Sequence, residues 1–180
     1  YRMLYHNKSR GLALPDPDPV GDPAAAFAAH DHELCAGEVL ARAEAVSAAA
    51  GARLTPVRRR TLEILLQSHR ALGAYEVLER LAADGFGNQP PVAYRALDFL
   101  VEQGFAHRIR RLTAFAACMH PGRAHRPVFF ICRACDAVAE APADTVRRAL
   151  AEVAAGIGFT VERINTEVLG LCPACAEDGA

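Results

Sequence analysis

Pro90-Pro91-Val92-Ala93-Tyr94-Arg95-Ala96-Leu97-Asp98-Phe99-Leu100-Val101-Glu102-Gln103-Gly104-Phe105 is the stretch that decides the fold. A helix starts after the two prolines and runs to Gly104, because Ala93, Leu97, Leu100 and Val101 recur at helical spacing as one apolar stripe. Tyr94, Arg95 and Asp98 then fall on the outer face. Past Gly104 the period shortens to two: Phe105-Ala106-His107-Arg108-Ile109-Arg110 and Ala114-Phe115-Ala116-Ala117-Cys118 alternate around Arg111-Leu112-Thr113, as in a short hairpin.

Upstream, Thr55-Pro56 has the form of an N-cap followed by proline at the first helical position. It opens a helix through Leu62, Leu65 and Leu66 toward His69. Another helix runs from Ala74 and stops by Gly85, carrying Tyr75, Val77, Leu78 and Leu81. An alanine-rich helix from Glu33 to Ala50 precedes both, with Gly51 as its stop. Three or four helices followed by a hairpin predict a winged helix-turn-helix over residues 33–117. Residues 1–32, with Leu14-Pro15-Asp16-Pro17-Asp18-Pro19, read as a flexible tail.

Pro121-Gly122-Arg123 separates this unit from a cysteine-rich one, with residues 118–126 as a hinge and 127–180 as a small α/β domain. Strands are expected near 127–132 and 137–140, a helix from Ala143 to about Ala155, and a strand from Phe159 to Leu171. The fold class is α+β.

The chain has 180 residues, 52% of them apolar, which is enough for a real core and excludes a disordered chain. The net charge of -1 hides an asymmetry: residues 1–35 carry -2, residues 36–117 carry +3 and residues 118–180 carry -2. The basic excess lies on the predicted winged helix, where a nucleic acid would bind. No run of 18 apolar residues occurs, and no basic start leads into an apolar stretch, so no membrane span or signal peptide is expected. The reading is a cytoplasmic protein.

Cys132-Arg133-Ala134-Cys135 and Cys172-Pro173-Ala174-Cys175 form two C-x-x-C knuckles. Four thiolates make the soft tetrahedral shell that structural zinc prefers. The 36 residues between Cys135 and Cys172 exceed an ordinary zinc-ribbon loop, so the intervening helix and strand must fold back to bring the pairs together. Two disulfides or unrelated buried thiols are the competing reading, disfavoured in a reducing compartment. Neither pair has the strand-to-helix α/β setting of a thioredoxin-like redox motif, and four protein ligands leave no place for a catalytic water. No H-E-x-x-H stretch supports a metal-dependent hydrolase, so an enzyme is not expected.

Leu54-Thr55-Pro56-Val57-Arg58, Ala74-Tyr75-Glu76-Val77-Leu78, the Pro90–Phe105 stretch and the paired knuckles together resemble the ferric uptake regulator family over about residues 33–178. Within it the chain is most similar to the zinc-responsive branch. The resemblance implies a homodimeric transcriptional repressor that binds palindromic double-stranded operators of zinc uptake genes, through a winged helix followed by a dimerisation domain. It also implies two Zn2+ sites per subunit: the structural four-cysteine site, and a regulatory hinge site made of His107, Cys118, His125 and Glu140, with His120 as a substitute for His125.

Taken singly, His107 reads equally as a packed histidine, Cys118 as a small buried hydrophobe and Glu140 as a surface charge. As a set, imidazole, thiolate and carboxylate suit zinc, and the sulfur favours it over ferrous or manganous ions. Iron, nickel or peroxide sensing is the alternative within the family. A zinc-stapled interaction protein without DNA specificity is the alternative outside it.

Arg95 is the candidate for bidentate contact with guanine, and Tyr94 for contact with a phosphate or thymine methyl. A surface pair between Arg95 and Asp98 is the plain alternative. Arg58, Arg59, Arg60, Arg108, Arg110 and Arg111 are candidate phosphate contacts. The family usually carries Thr-Val before the Tyr-Arg pair. Val92-Ala93 stands here instead and removes a hydroxyl. His30, His32 and Cys35 in Ala29-His30-Asp31-His32-Glu33-Leu34-Cys35 form a further, weaker metal-ligand pattern.

Overall fold

The computed structural model describes residues 23–28 and 31–179. The predicted flexibility of residues 1–32 falls largely outside them, as does His30; Pro23–Phe27 forms a short 3-10 turn. Helix α1 spans His32–Ala49, and its first turn is capped by Asp31, whose carboxylate accepts the Leu34 N–H at 3.1 Å. Helix α2 spans Pro56–Leu65. Thr55 occupies the N-cap position, but its side chain makes no capping bond, and Pro56 alone marks the start.

The chain leaves the helix at Leu65, short of His69. The following residues turn into the two-residue strand β1, Leu72–Gly73. Helices α3 (Ala74–Ala83) and α4 (Pro90–Glu102) complete the helix-turn-helix. Leu62, Leu65, Val77, Leu81, Leu97 and Leu100 are fully buried between them. Val101, expected in the α4 stripe, is only half-buried because Ala96 takes the inner position.

Gly104, at φ +71, ends α4 in a left-handed turn. Its N–H donates to Val101 O at 3.1 Å and that of Phe105 to Leu100 O at 2.7 Å, which satisfies carbonyls the helix end would leave bare. This turn aims the chain into strand β2 (Ala106–Ile109), paired antiparallel with β3 (Ala114–Ala117) to form the wing. Strand β1 lies on the other side of β3, an extra strand beyond the predicted hairpin.

The second sheet has the order β5-β4-β6. Strand β4 (Val128–Cys132) pairs antiparallel with β5 (Val138–Ala141) and parallel with β6 (Thr166–Gly170). Helix α5 (Asp144–Gly156) crosses from β5 toward β6, and the short α6 (Pro173–Glu177) follows. The strand expected over Phe159–Leu171 is therefore shorter than predicted. Val128 pairs with Thr166, and Pro127 before it has no N–H to extend the ladder, so residues 159–165 have no strand to join.

The two sheets share a second core, in which Ala71, Ile109 and Ala114 pack on Phe129, Ile131 and Val138. Backbone bonds add to it: Val138 N–H donates to His69 O at 2.7 Å and Ala71 N–H to Asp136 O at 3.2 Å. Gly122, in the linking segment, lies so close to α1 that a Cβ there would sit 2.5 Å from Val46 Cγ2.

Candidate metal centre

His107 projects from β2, Cys118 follows β3, His125 sits in the linking segment and Glu140 lies on β5. One ligand atom from each can be chosen so that all four lie within 4.8 Å of one another. Glu140 is 8% exposed, a buried carboxylate and not the surface charge it resembles in isolation. His107 Nε2 stands 3.4 Å from Glu140 Oε2, and Cys118 Sγ 3.5 Å from His125 Nε2. His125 Nε2 also contacts Glu140 Oε1.

His125 Nδ1–H donates to the Arg123 carbonyl at 2.8 Å, which in the neutral imidazole leaves Nε2 with its lone pair facing the cluster. The Met119 N–H donates to Glu140 Oε2 at 3.1 Å and holds the carboxylate in place. His107 Nε2 is buried and makes no hydrogen bond, and its ring packs 5.1 Å from that of Phe129. A buried, unbonded ring nitrogen facing a carboxylate and a thiol is the donor set a divalent ion fits. His120 lies beside the set, its Nδ1 3.5 Å from Glu140 Oε1, while His125 occupies the convergent position.

The four groups shift one another's titration. Burial alone would push the Glu140 carboxyl up, but the surrounding imidazoles of His107, His120 and His125 outweigh it and hold it well below the usual carboxylate range. Burial alone would lower His107; the adjacent Cys118 and Glu140 raise it instead, to about 9. Contacts with Cys118 and then Glu140 raise His125 to about 11. The Cys118 thiol is pulled down by His107 and His125 against the opposing effect of burial.

The four cysteines Cys132, Cys135, Cys172 and Cys175 also converge within 4.8 Å. Cys132 ends β4, and the turn after it is tightened by Asp136 N–H donating to Cys132 O at 3.0 Å, with Asp136 at φ +58. Arg133 N–H donates to Gly170 O at 2.8 Å, carrying the β4–β6 ladder up to the second knuckle. There Cys172 is the N-cap of α6 and Cys175 lies in its only full turn. The long insertion is thus absorbed by the α5 crossover. Cys135 Sγ and Cys172 Sγ are 3.9 Å apart, close to the ~3.8 Å between two sulfurs at ~2.3 Å from one tetrahedral zinc. Backbone hydrogen bonding from Cys172, then from Ala134 and Cys135, pulls the Cys132 thiol down to about 6 against its burial.

On the helix-turn-helix, Tyr94 is 40% exposed and Arg95 is also exposed. Asp98 pairs with Arg108 at 3.3 Å, so the alternative Arg95–Asp98 pair does not form. Arg58, Arg59 and Arg60 are engaged within the chain. Arg58 lies 3.7 Å over the Phe99 ring and donates to Arg53 O at 2.8 Å, and Arg59 pairs with Glu44 and Glu63. Arg60 pairs with Glu63 and Asp84.

Sequence reasoning missed two residues. Glu167 on β6 accepts backbone N–H groups of the wing, and His69 joins His32 and Cys35. Neither has a local motif to announce it.

Residues 49–169 match the ferric uptake regulator family. The chain is 38% identical over 141 residues to the Zinc uptake regulation protein of Escherichia coli (strain K12), covering 78% of this chain and 82% of that protein. A solved structure described as a zinc uptake regulator complexed with zinc and DNA aligns with a TM-score of 0.73 at 36% identity, over 80% of this chain and 97% of that one. The structure described as holo XcZur aligns at 0.68 and 34% identity, over 79% and 99% of the two chains. The chain belongs to the ferric uptake regulator family, and the relatives named here are zinc uptake regulators. Among the described residues, no helix is long and apolar enough to cross a membrane.

Proposed function

We propose that the protein is a zinc-dependent transcriptional repressor that binds palindromic operators of zinc uptake genes as a homodimer when its hinge site is loaded. The observation that carries this reading is the convergence of His107 and Cys118, from the wing sheet and its exit, with His125 and with Glu140 of the second sheet. A ligand set split between two units changes their relative freedom when it is filled.

His107, Cys118, His125 and Glu140 would hold the regulatory zinc, and Cys132, Cys135, Cys172 and Cys175 the structural one. A zinc ion held by these four residues would tie the wing sheet to β5. Glu140 is the central residue of the joint: it fixes the Met119 N–H and faces three histidines. Cys118 favours zinc over ferrous or manganous ions, which prefer nitrogen and oxygen shells. The four-thiolate site is closed and has a structural role, which agrees with a regulator and not an enzyme.

Arg95 and Tyr94 on the exposed face of α4 would meet base edges and backbone in the major groove. Dimerisation is supported by the apolar side chains that the second unit leaves outside: Val146, Leu150 and Val153 on α5, and Phe130 and Val168 on the sheet, are 40–66% exposed. Ala154 is the only buried residue of α5. A face of this kind is covered in a homodimer. A protein that binds operators in this way would act in the cytoplasm.

The test is operator binding at buffered free metal, followed by fluorescence anisotropy. Zinc is expected to restore binding to the apo hinge at lower free concentration than Fe2+, Mn2+ or Ni2+. Restoration by Fe2+ or Ni2+ with zinc inert would assign the protein to another sensor class, and metal-independent binding would remove the switch.

A further inference from the structure

We propose that His32, Cys35 and His69 form a third divalent-cation site, of zinc-like preference, that pins the start of α1 to the turn after α2, the turn whose His69 carbonyl bonds the second sheet. The three offer ligand atoms that all lie within 4.8 Å of one another, and all three side chains are half-buried. Bonds of ~2.0–2.3 Å in a tetrahedron separate ligand atoms by about 3.3–3.8 Å, so small rotamer shifts close the remaining gap.

The placement is built by the fold. His32 and Cys35 are three apart on α1 and share one face. The Asp31 cap fixes the first turn from which both project. His69 arrives from the turn after α2, and its ring meets that of His32 edge-on at a centroid distance of 4.7 Å. The sequence pattern groups His30 with His32 and Cys35; His30 lies outside the described residues, and the tertiary structure adds His69 from a distant part of the chain.

Two imidazoles and a thiol are borderline-soft donors, matched to Zn2+ and not to Mg2+ or Ca2+. Three protein ligands leave the fourth corner to water, so the ion should exchange more readily than one held by four thiolates.

The location gives the site a role. His69 O accepts the Val138 N–H at 2.7 Å, and Val138 lies on the same strand as Glu140. One cleft is lined by His32, His69, Met119, Phe129, Val138 and Glu140, so this site and the hinge set share a wall. An ion at His32, Cys35 and His69 would anchor α1 against the same joint that the hinge set closes.

The experiment uses the full chain with Zn2+ as the probe. Iodoacetamide labelling, read by peptide mass spectrometry, follows Cys35 and Cys118 separately, with free Zn2+ buffered up to about 1 μM. Zinc is expected to slow Cys35 labelling about tenfold or more. His69→Ala and His32→Ala should each remove that protection while Cys118 stays protected, and Cys35→Ser should lose one of three bound equivalents. The first readout needs only the parent protein, so a variant that folds poorly cannot mask the answer. Equal Cys35 labelling with and without zinc, or protection that survives His69→Ala, would overturn the site. Because Cys118 reports the hinge by itself, failure of one site is distinguished from failure of the other.

Discussion

The Glu167 carboxylate on β6 accepts the backbone N–H of Arg110, in the wing, at 2.8 Å through one oxygen, and its other oxygen accepts the Arg111 N–H at 2.8 Å. Asn165 Nδ2 donates to the same carboxylate at 3.2 Å and orients it. The turn between β2 and β3 would otherwise leave these donors to water. The second unit therefore grips the wing at its tip as well as at the hinge.

Charge-assisted hydrogen bonds contribute up to about 1.5–3 kcal/mol net, and these two, which are exposed, fall toward the lower end. Glu167→Ala should therefore speed amide exchange at Arg110 and Arg111 by about tenfold or more, with Glu167→Gln in between. Residue-resolved hydrogen exchange measures this, and unchanged exchange would mean that the clamp does not form in solution.

The hinge set gives the metal-free protein a definite pH dependence. His107 and His125 have raised pKa values, about 9 and about 11, so their contribution to stability is full below about pH 6.5 and is lost as pH rises through those values. Glu140 is depressed, so its contribution is present above about pH 4.5 and is lost as pH falls. Apo stability should peak between the two limits. Zinc must displace the imidazole protons, so hinge affinity should climb by about one to two decades per pH unit between about pH 6 and 8. Competition with a chelator of known pH behaviour reads the slope, and a flat profile would contradict the protonated cluster.

Cys172→Ser removes one corner of the four-cysteine site and uncouples the second knuckle from β4. Structural zinc supplies about 10–16 kcal/mol in small zinc modules, comparable to the whole stability of an ordinary domain. The variant should lose one zinc equivalent and the cooperative unfolding of the β4–β6 unit. Calorimetry with metal analysis checks both, and an unchanged transition would contradict a structural role.

Arg95→Ala should weaken operator binding by about 1–3 kcal/mol and relax base preference at one position of each half-site. Arg58→Ala and Arg59→Ala report differently, because Arg58 stacks on Phe99 and Arg59 pairs with Glu44 and Glu63. A drop of about one in the salt slope would mark either as a phosphate contact; an unchanged slope with lower stability would mark it as structural.

Local signals were the legible ones. Pro56, Pro90-Pro91 and Gly104 announce helix ends because proline and glycine act within one turn, and the C-x-x-C pairs announce themselves by spacing. Glu140 looked like a surface charge because its burial depends on His107, Met119 and His125 arriving from other segments. Its assignment rested on the family resemblance, as did that of Cys118. Glu167 and His69 were silent for the same reason: each acts on a partner brought close only by the docking of the two sheets. The overlong strand at Phe159–Leu171 came from a β-type pattern whose outer half has no neighbouring strand.

The central claim is that hinge zinc and operator DNA favour the same closed joint, and linkage makes it measurable from either side. Zinc affinity at the hinge should be measured with and without a saturating palindromic duplex, the four-cysteine site remaining loaded. The account predicts a tightening of about 5–150-fold, equal to the factor by which hinge zinc tightens DNA binding. A hinge affinity that is the same with and without the duplex would contradict it.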